Sequence, residues 1–169
     1  MQTSKEHDFL VKGLIDHFLK NGLEIYYADY TGYDKPKVIK RHSPDIMAKD
    51  RSNGMVYIGL VKSCGEFSDQ ITKEEFEDFP KRLLKTQNSE KIRVPFYIGV
   101  PEKCQTKVKE SFESFGIPWK ENIQVVGLKQ NWKISWTPEI DKFKSPKSLF
   151  VKFRNYFFVK VIEPTEWTY

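Results

Sequence analysis

Within residues 43–63, SPDIMAKDRSNGMVYIGLVKS, a Pro44-Asp45 pair and Lys62 stand at opposite ends of what reads as a β-hairpin. Asn53-Gly54 can take the positive φ angles that a tight turn needs, which brings Asp45 near Lys62 at the open end. Side chains alternate along a strand, so Ile58, Leu60 and Lys62 project to one face and Gly59, Val61 and Ser63 to the other. Carboxylates are what a hard divalent cation takes. A metal site would want a second one where Leu60 stands.

The pattern PDI, a turn, then IGLVK resembles the PD-(D/E)XK nuclease superfamily, which has the restriction-endonuclease-like fold; Leu60 occupies the place of the usual Asp or Glu. The resemblance runs from the first helix through NIQVVGLK. It implies that Asp45 is a metal ligand, that Lys62 orients or activates the attacking water, and that Glu6 on the leading helix is an accessory ligand. It also implies Mg²⁺ or Mn²⁺ as cofactor and DNA phosphodiester hydrolysis as the activity. Mg²⁺ binds through one or two carboxylates plus waters, stabilises charge on a phosphoryl oxygen and generates a nucleophile, while a lysine adds positive charge beside the phosphate. Some members of the superfamily supply the missing acid from a neighbouring position, often the following helix. Glu6, Glu66 and Glu74 are the candidates for that here, Glu66 lying four residues after Lys62. DNA is the first partner on this reading and RNA the second, a homodimer is in keeping with it, and no membrane is involved.

Each of these residues also has a plainer role. Glu6 completes a capping box with Thr3. Asp45 can serve as a strand-start residue and Lys62 as a strand-end lysine reaching solvent. His7, His17 and His42 show no metal-ligand spacing; the first two fall on the leading helix, where a surface or packing role is commoner, and His42 precedes Ser43-Pro44-Asp45. Lys35, Lys37, Lys40 and Arg41 form a basic loop just before Asp45 that can contact phosphates or simply be solvated. In the tail, Lys147, Lys152, Arg154 and Lys160 interleave with Phe150, Phe153, Tyr156 and Phe158, a mixture suited to stacking on bases or to packing.

The elements that must hold these side chains follow from periodicity. Leu10, Val11, Leu14, Ile15 and Phe18 share a helical face that Gly22 closes, and LEIYYADY reads as a strand. After the hairpin, TKEEFEDFPKRLLK predicts a helix with a capping box at Thr72 and Glu75 and a stripe of Phe76, Phe79, Leu83 and Leu84, kinked or restarted at Pro80. VPFYIGVP is a short strand, EKCQTKVKESFESFG a helix ended by Gly116, and NIQVVGLK a strand, making a βαβ unit. WKISWTP alternates as a half-buried strand expected to pair with the one before it, while the tail from Ser145 fits a helix or a strand pair. The order argues for an α/β fold, a mixed central sheet flanked by helices, and by the resemblance a restriction-endonuclease-like α-β-β-β-α-β-α-β core.

At 169 residues the chain has ordinary single-domain length, so residues 1–169 are taken as one domain with 138–169 an extension of uncertain structure. Its 39% hydrophobic, 15% aromatic and 30% charged residues suit a globular protein, and a net charge of +5 is compatible with a polyanionic partner. Cys64 and Cys104, without zinc spacing, are expected to be packing residues or free thiols in a reducing compartment. Neither a signal architecture nor a bilayer-length apolar run is present, giving a cytoplasmic, soluble expectation. Gly-rich phosphate loops, nucleophile elbows and paired-cysteine metal motifs are missing too, which disfavours nucleotide-driven, acyl-transfer and zinc-finger chemistry. Two functions remain: a metal-dependent nuclease, or a non-catalytic nucleic-acid- or protein-binding module on the same fold.

Overall fold

The computed structural model describes residues 4–85, 91–129, 132–134 and 162–164. Two compact units divide the chain, one containing Met1–Lys129 and the other Gln130–Trp167. Where length predicts one domain over 1–169 with an extension from 138, the division falls at Lys129.

In the first unit, helix α1 (Ser4–Lys20) precedes strands β1 (Glu24–Ala28), β2 (Ile46–Lys49) and β3 (Val56–Val61). Helix α2 (Gln70–Asp78), a short pair β4 (Leu83–Lys85) and β5 (Lys91–Arg93), strand β6 (Phe96–Pro101), helix α3 (Gln105–Ser114) and strand β7 (Ile123–Leu128) follow. The main sheet has five strands in the order β1-β2-β3-β6-β7. β2 runs antiparallel to both β1 and β3, whereas β6 runs parallel to β3 and β7 parallel to β6. It is a mixed α/β sheet flanked by helices, as the periodicity predicts.

The two layers over the sheet are built from different residues. α1 buries Leu10, Val11, Leu14, Ile15 and Phe18, the stripe that its sequence spacing predicts. Gly59 lets that helix settle on β3: a Cβ there would stand 3.1 Å from both Ile46 Cβ and Leu14 Cδ2. On the opposite layer Leu60 joins a core with Phe76 and Phe79, Phe96 and Ile98, and Val108 and Phe112 of α3. The Phe76 and Phe112 rings stack with centroids 4.4 Å apart.

Several local expectations change. The hairpin turn is longer than a two-residue Asn-Gly turn, because Asp50 accepts hydrogen bonds from Ser52 N–H, Ser52 Oγ and Asn53 Nδ2 and holds residues 50–55 as a loop of their own. α2 starts before Thr72 with Asp69 at its N-cap, so Thr72 and Glu75 lie inside the helix and form no capping box. Pro80 sits in a 3₁₀ turn, Phe79–Lys81, after which Leu83 and Leu84 enter β4 and pair with Arg93 and Ile92 instead of extending the helix. Cys64 and Cys104, expected as packing residues or free thiols, form a disulfide with Cα atoms 5.7 Å apart, tying the loop after β3 to the turn after β6.

In the second unit, β8 (Trp132–Ile134) pairs antiparallel with β9 (Ile162–Pro164), not with the strand before it. The aromatic-basic tail residues from Lys147 to Lys160 and Thr3 lie outside the described residues. Among the described residues no helix is long and apolar enough to cross a membrane.

Candidate functional site

Asp45 is fixed before its side chain is considered. Its N–H donates to the Gly59 carbonyl at 3.0 Å and its carbonyl accepts from Asp29 N–H at 2.8 Å, so the residue is laced between the ends of β1 and β3. Val61 N–H donates to Asp45 Oδ2 at 2.6 Å, which aims the other oxygen toward α1, where His7 Nε2 donates to Oδ1 at 3.0 Å. The hydrogen bond to Asp45 raises the His7 pKa above its ordinary value, burial opposing it in part.

Lys62 follows β3 at the carboxyl end of the parallel strands, the end where open α/β sheets hold their ligands. Its N–H continues the β3–β6 pairing by donating to Gly99 O at 3.0 Å. The side chain points to the α2 layer, as alternation predicts, and its Nζ lies 2.6 Å from Glu75 Oε2. Both residues are buried. Burial pushes the Glu75 carboxyl up, Lys62 pulls it down, and the nearby Asp45 charge adds to the rise, with the upward effects prevailing. A carboxylate and an ammonium thus meet in the layer that holds Leu60, the core residue that occupies the hairpin's own acid position, within the field of Asp45.

Comparison of the chain with protein families, with curated proteins and with solved structures gave no match.

The other candidate residues have definite surroundings. Glu66 accepts from Ser63 N–H and Ser63 Oγ, both at 2.7 Å, so its Oε2 closes the loop after Lys62. Glu6 is half-buried in the first turn of α1, but the cluster of ligand atoms gathered at Asp45 uses the next residue, His7, with Asp29. Glu74 pairs with His42 Nε2 at 2.9 Å and with Arg41 at 3.3 Å. The acid delivered to Lys62 is therefore none of the three nominated, Glu6, Glu66 and Glu74, but Glu75, the neighbour of the last.

Three of the four cations in the basic loop are turned to carboxylates. Lys35 Nζ lies 2.8 Å from Asp29 Oδ1, Lys40 Nζ 3.2 Å from Asp78 Oδ1, and Arg41 Nε 3.0 Å from Asp78 Oδ2. Lys37 is exposed. The turn that delivers Lys40 and Arg41 to α2 needs Lys40 at φ 59, a left-handed conformation uncommon outside glycine and asparagine. A clasp between this loop and α2 thereby holds Glu75 opposite Lys62.

Glu75, His7 and Asp29 escaped the sequence reading for separate reasons. Glu75 matched a capping pattern, although it also shares a helical face with Thr72, Phe76 and Phe79; an acid on an apolar stripe signals a buried partner. His7 has no partner at ligand spacing in sequence, because its partners arrive from β1 and β2. Asp29 carried no signal beyond ending a strand.

Proposed function

We propose that this chain is a metal-dependent phosphodiester hydrolase of the restriction-endonuclease-like type, acting on DNA ahead of RNA, in which Glu75 of α2 replaces the acid lost at Leu60. The reading rests on the observation that Lys62 Nζ lies 2.6 Å from a buried carboxylate on the following helix, one on which the Asp45 charge also acts. Support for the fold type comes from the order α1-β1-β2-β3-α2-β6-α3-β7 around the mixed sheet.

The residues fit a divalent cation. Asp45 and Glu75 offer hard oxygen donors, and the Glu75 carboxyl, pushed up first by burial and then by the Asp45 charge, carries a burden that a cation relieves. Such an ion supplies Lewis acidity and lowers the pKa of a bound water. Asp45 and Glu75 would hold it, the Val61 N–H keeping the Asp45 carboxylate oriented. Lys62, held 2.6 Å from the Glu75 carboxylate, would place its positive charge beside a phosphate oxygen and orient the attacking water. The resemblance gives DNA as the substrate class and Mg²⁺ or Mn²⁺ as the ion.

Cleavage of mixed single- and double-stranded DNA in Mg²⁺ or Mn²⁺ tests this. Asp45→Ala, Lys62→Ala and Glu75→Gln should each lower the rate by about a hundredfold or more while circular dichroism remains that of the folded chain. Retained cleavage in Glu75→Gln would remove the α2 acid from the mechanism. Salt-dependent DNA binding with no cleavage under any of these ions would make the chain a binding module on this fold.

A further inference from the structure

The side of Asp45 that faces α1 holds a second set of ligand atoms, which the hydrolase reading does not use. One ligand atom each from His7, Asp29 and Asp45 lies within 4.8 Å of the others. The three come from different parts of the chain: His7 from the first turns of α1, Asp29 from the residue after β1, and Asp45 from the residue before β2. The two aspartates are fixed there by main-chain donors, since Asp29 N–H donates to Asp45 O at 2.8 Å and the second Asp45 oxygen is occupied by Val61 N–H. Two ligands about 2.1 Å from an ion in adjacent octahedral positions stand about 3 Å apart. His7 Nε2 and Asp45 Oδ1 are 3.0 Å apart.

We infer that His7, Asp29 and Asp45 form a mixed nitrogen-oxygen site for a divalent first-row transition ion such as Mn²⁺, and that His7 makes it prefer that ion to Mg²⁺. Imidazole suits transition ions, whereas Mg²⁺ takes oxygen donors and keeps most of its waters. The two carboxylates supply the charge and the imidazole supplies the selectivity. Lys35, at 2.8 Å from Asp29 Oδ1, is an exposed side chain that can swing away when an ion takes that oxygen. In the hydrolase, on which this inference rests for its use, Asp45 then serves an ion toward α1 as well as the chemistry toward Lys62 and Glu75.

The site is tested without DNA, by titrating Mn²⁺ into the full chain and following free Mn²⁺ by electron paramagnetic resonance, with Mg²⁺ binding measured calorimetrically. His7→Ala should weaken Mn²⁺ binding about tenfold or more and change Mg²⁺ binding by no more than about twofold. His7→Gln, which keeps an oxygen donor of similar reach, should narrow the preference for Mn²⁺ while remaining folded. Asp29→Asn should weaken both ions. Equal losses of both ions in His7→Ala, an unchanged Mn²⁺ affinity in either His7 variant or in Asp29→Asn, or no Mn²⁺ binding by the unaltered chain would each overturn the site. If the ion preference depends on His7 but DNA is never cleaved, this site stands and the hydrolase reading falls. Cleavage that depends on Asp45 and Glu75 but is indifferent to His7, with no Mn²⁺ preference, means the reverse.

Discussion

Asp45 separates two regions that handle charge in opposite ways. Toward α2, Lys62 and Glu75 are 7% and 5% exposed and neutralise one another away from water. Toward α1, the side chains of His7 and Asp29 are 25% and 41% exposed, so water can replace any partner they lose. The difference teaches which groups the fold itself needs. A buried ion pair gives little net stability when whole, because desolvation offsets attraction, yet breaking it leaves a charge with nowhere to go. On the open side a proton, a lysine or a metal ion can be exchanged without disturbing the core.

The largest effects should therefore come from the α2 side. Leu60→Glu, which restores the superfamily's usual residue, puts a third carboxylate into the layer already holding Glu75 and close to Asp45, with Lys62 already engaged. It should cost more than about 3 kcal/mol in urea unfolding and give no gain in cleavage. Lys62→Met should cost about 3–5 kcal/mol by leaving Glu75 unpaired, while Lys62→Met with Glu75→Leu should return close to the stability of the unaltered chain. His7→Ala and Asp29→Asn, on the open side, should each cost no more than about 1 kcal/mol. If Leu60→Glu combined with Glu75→Gln is as stable as the unaltered chain, the acid can sit on either element, and the contrast between the two sides loses its basis.

The clasp between the basic loop and α2 lies between these extremes and responds to acid. Burial pushes the Asp78 carboxyl up, but hydrogen bonds from Arg41 and Lys40 outweigh it and hold the pKa below the ordinary 3.8. With its folded value depressed, Asp78 contributes stability that is fully present above 3.8 and is lost as pH falls through the folded value. Asp78→Asn should therefore cost about 1–2 kcal/mol at neutral pH, and the gap from the unaltered chain should close in strong acid. Denaturant unfolding at a series of pH values measures it. A gap that stays constant down to low pH would mean that the clasp works through shape and not through charge.

How far the molecule was legible in its sequence follows the same division. The stripe of α1, the strand alternation that aims Lys62 at the second layer, and the β6-α3-β7 unit are repeated patterns, each specified by many residues at once. Glu75 depended on one residue with two readings, since Ser/Thr-x-x-Glu occurs inside helices as well as at their starts. Asp69 took the N-cap, and Thr72 and Glu75 turned inward. The end of α2 depended on Pro80, after which the apolar Leu83 and Leu84 suit a strand as well as a helix. The disulfide joins cysteines 40 residues apart, a separation that carries no pairing signal, and only the juxtaposition of the β3 and β6 ends brings them together. His7, Asp29 and Asp45 likewise meet only through tertiary structure.

The smallest expected effect concerns nucleic-acid contact by the basic loop. Charge alone makes residues 35, 37, 40 and 41 equivalent, but Lys35, Lys40 and Arg41 already face Asp29 and Asp78. Partner carboxylates reduce the counterions that such cations draw from a phosphate, so Lys37, exposed on the same loop, should carry most of its contact. Lys37→Ala should reduce the slope of log affinity for DNA against log salt by about 1, with little change in stability. Arg41→Ala should leave that slope nearly unchanged and instead lower stability by loosening α2. Should Arg41→Ala reduce the slope as much as Lys37→Ala, the guanidinium leaves Asp78 for phosphate when DNA binds. The clasp would then open with substrate and couple the position of Glu75 to DNA contact.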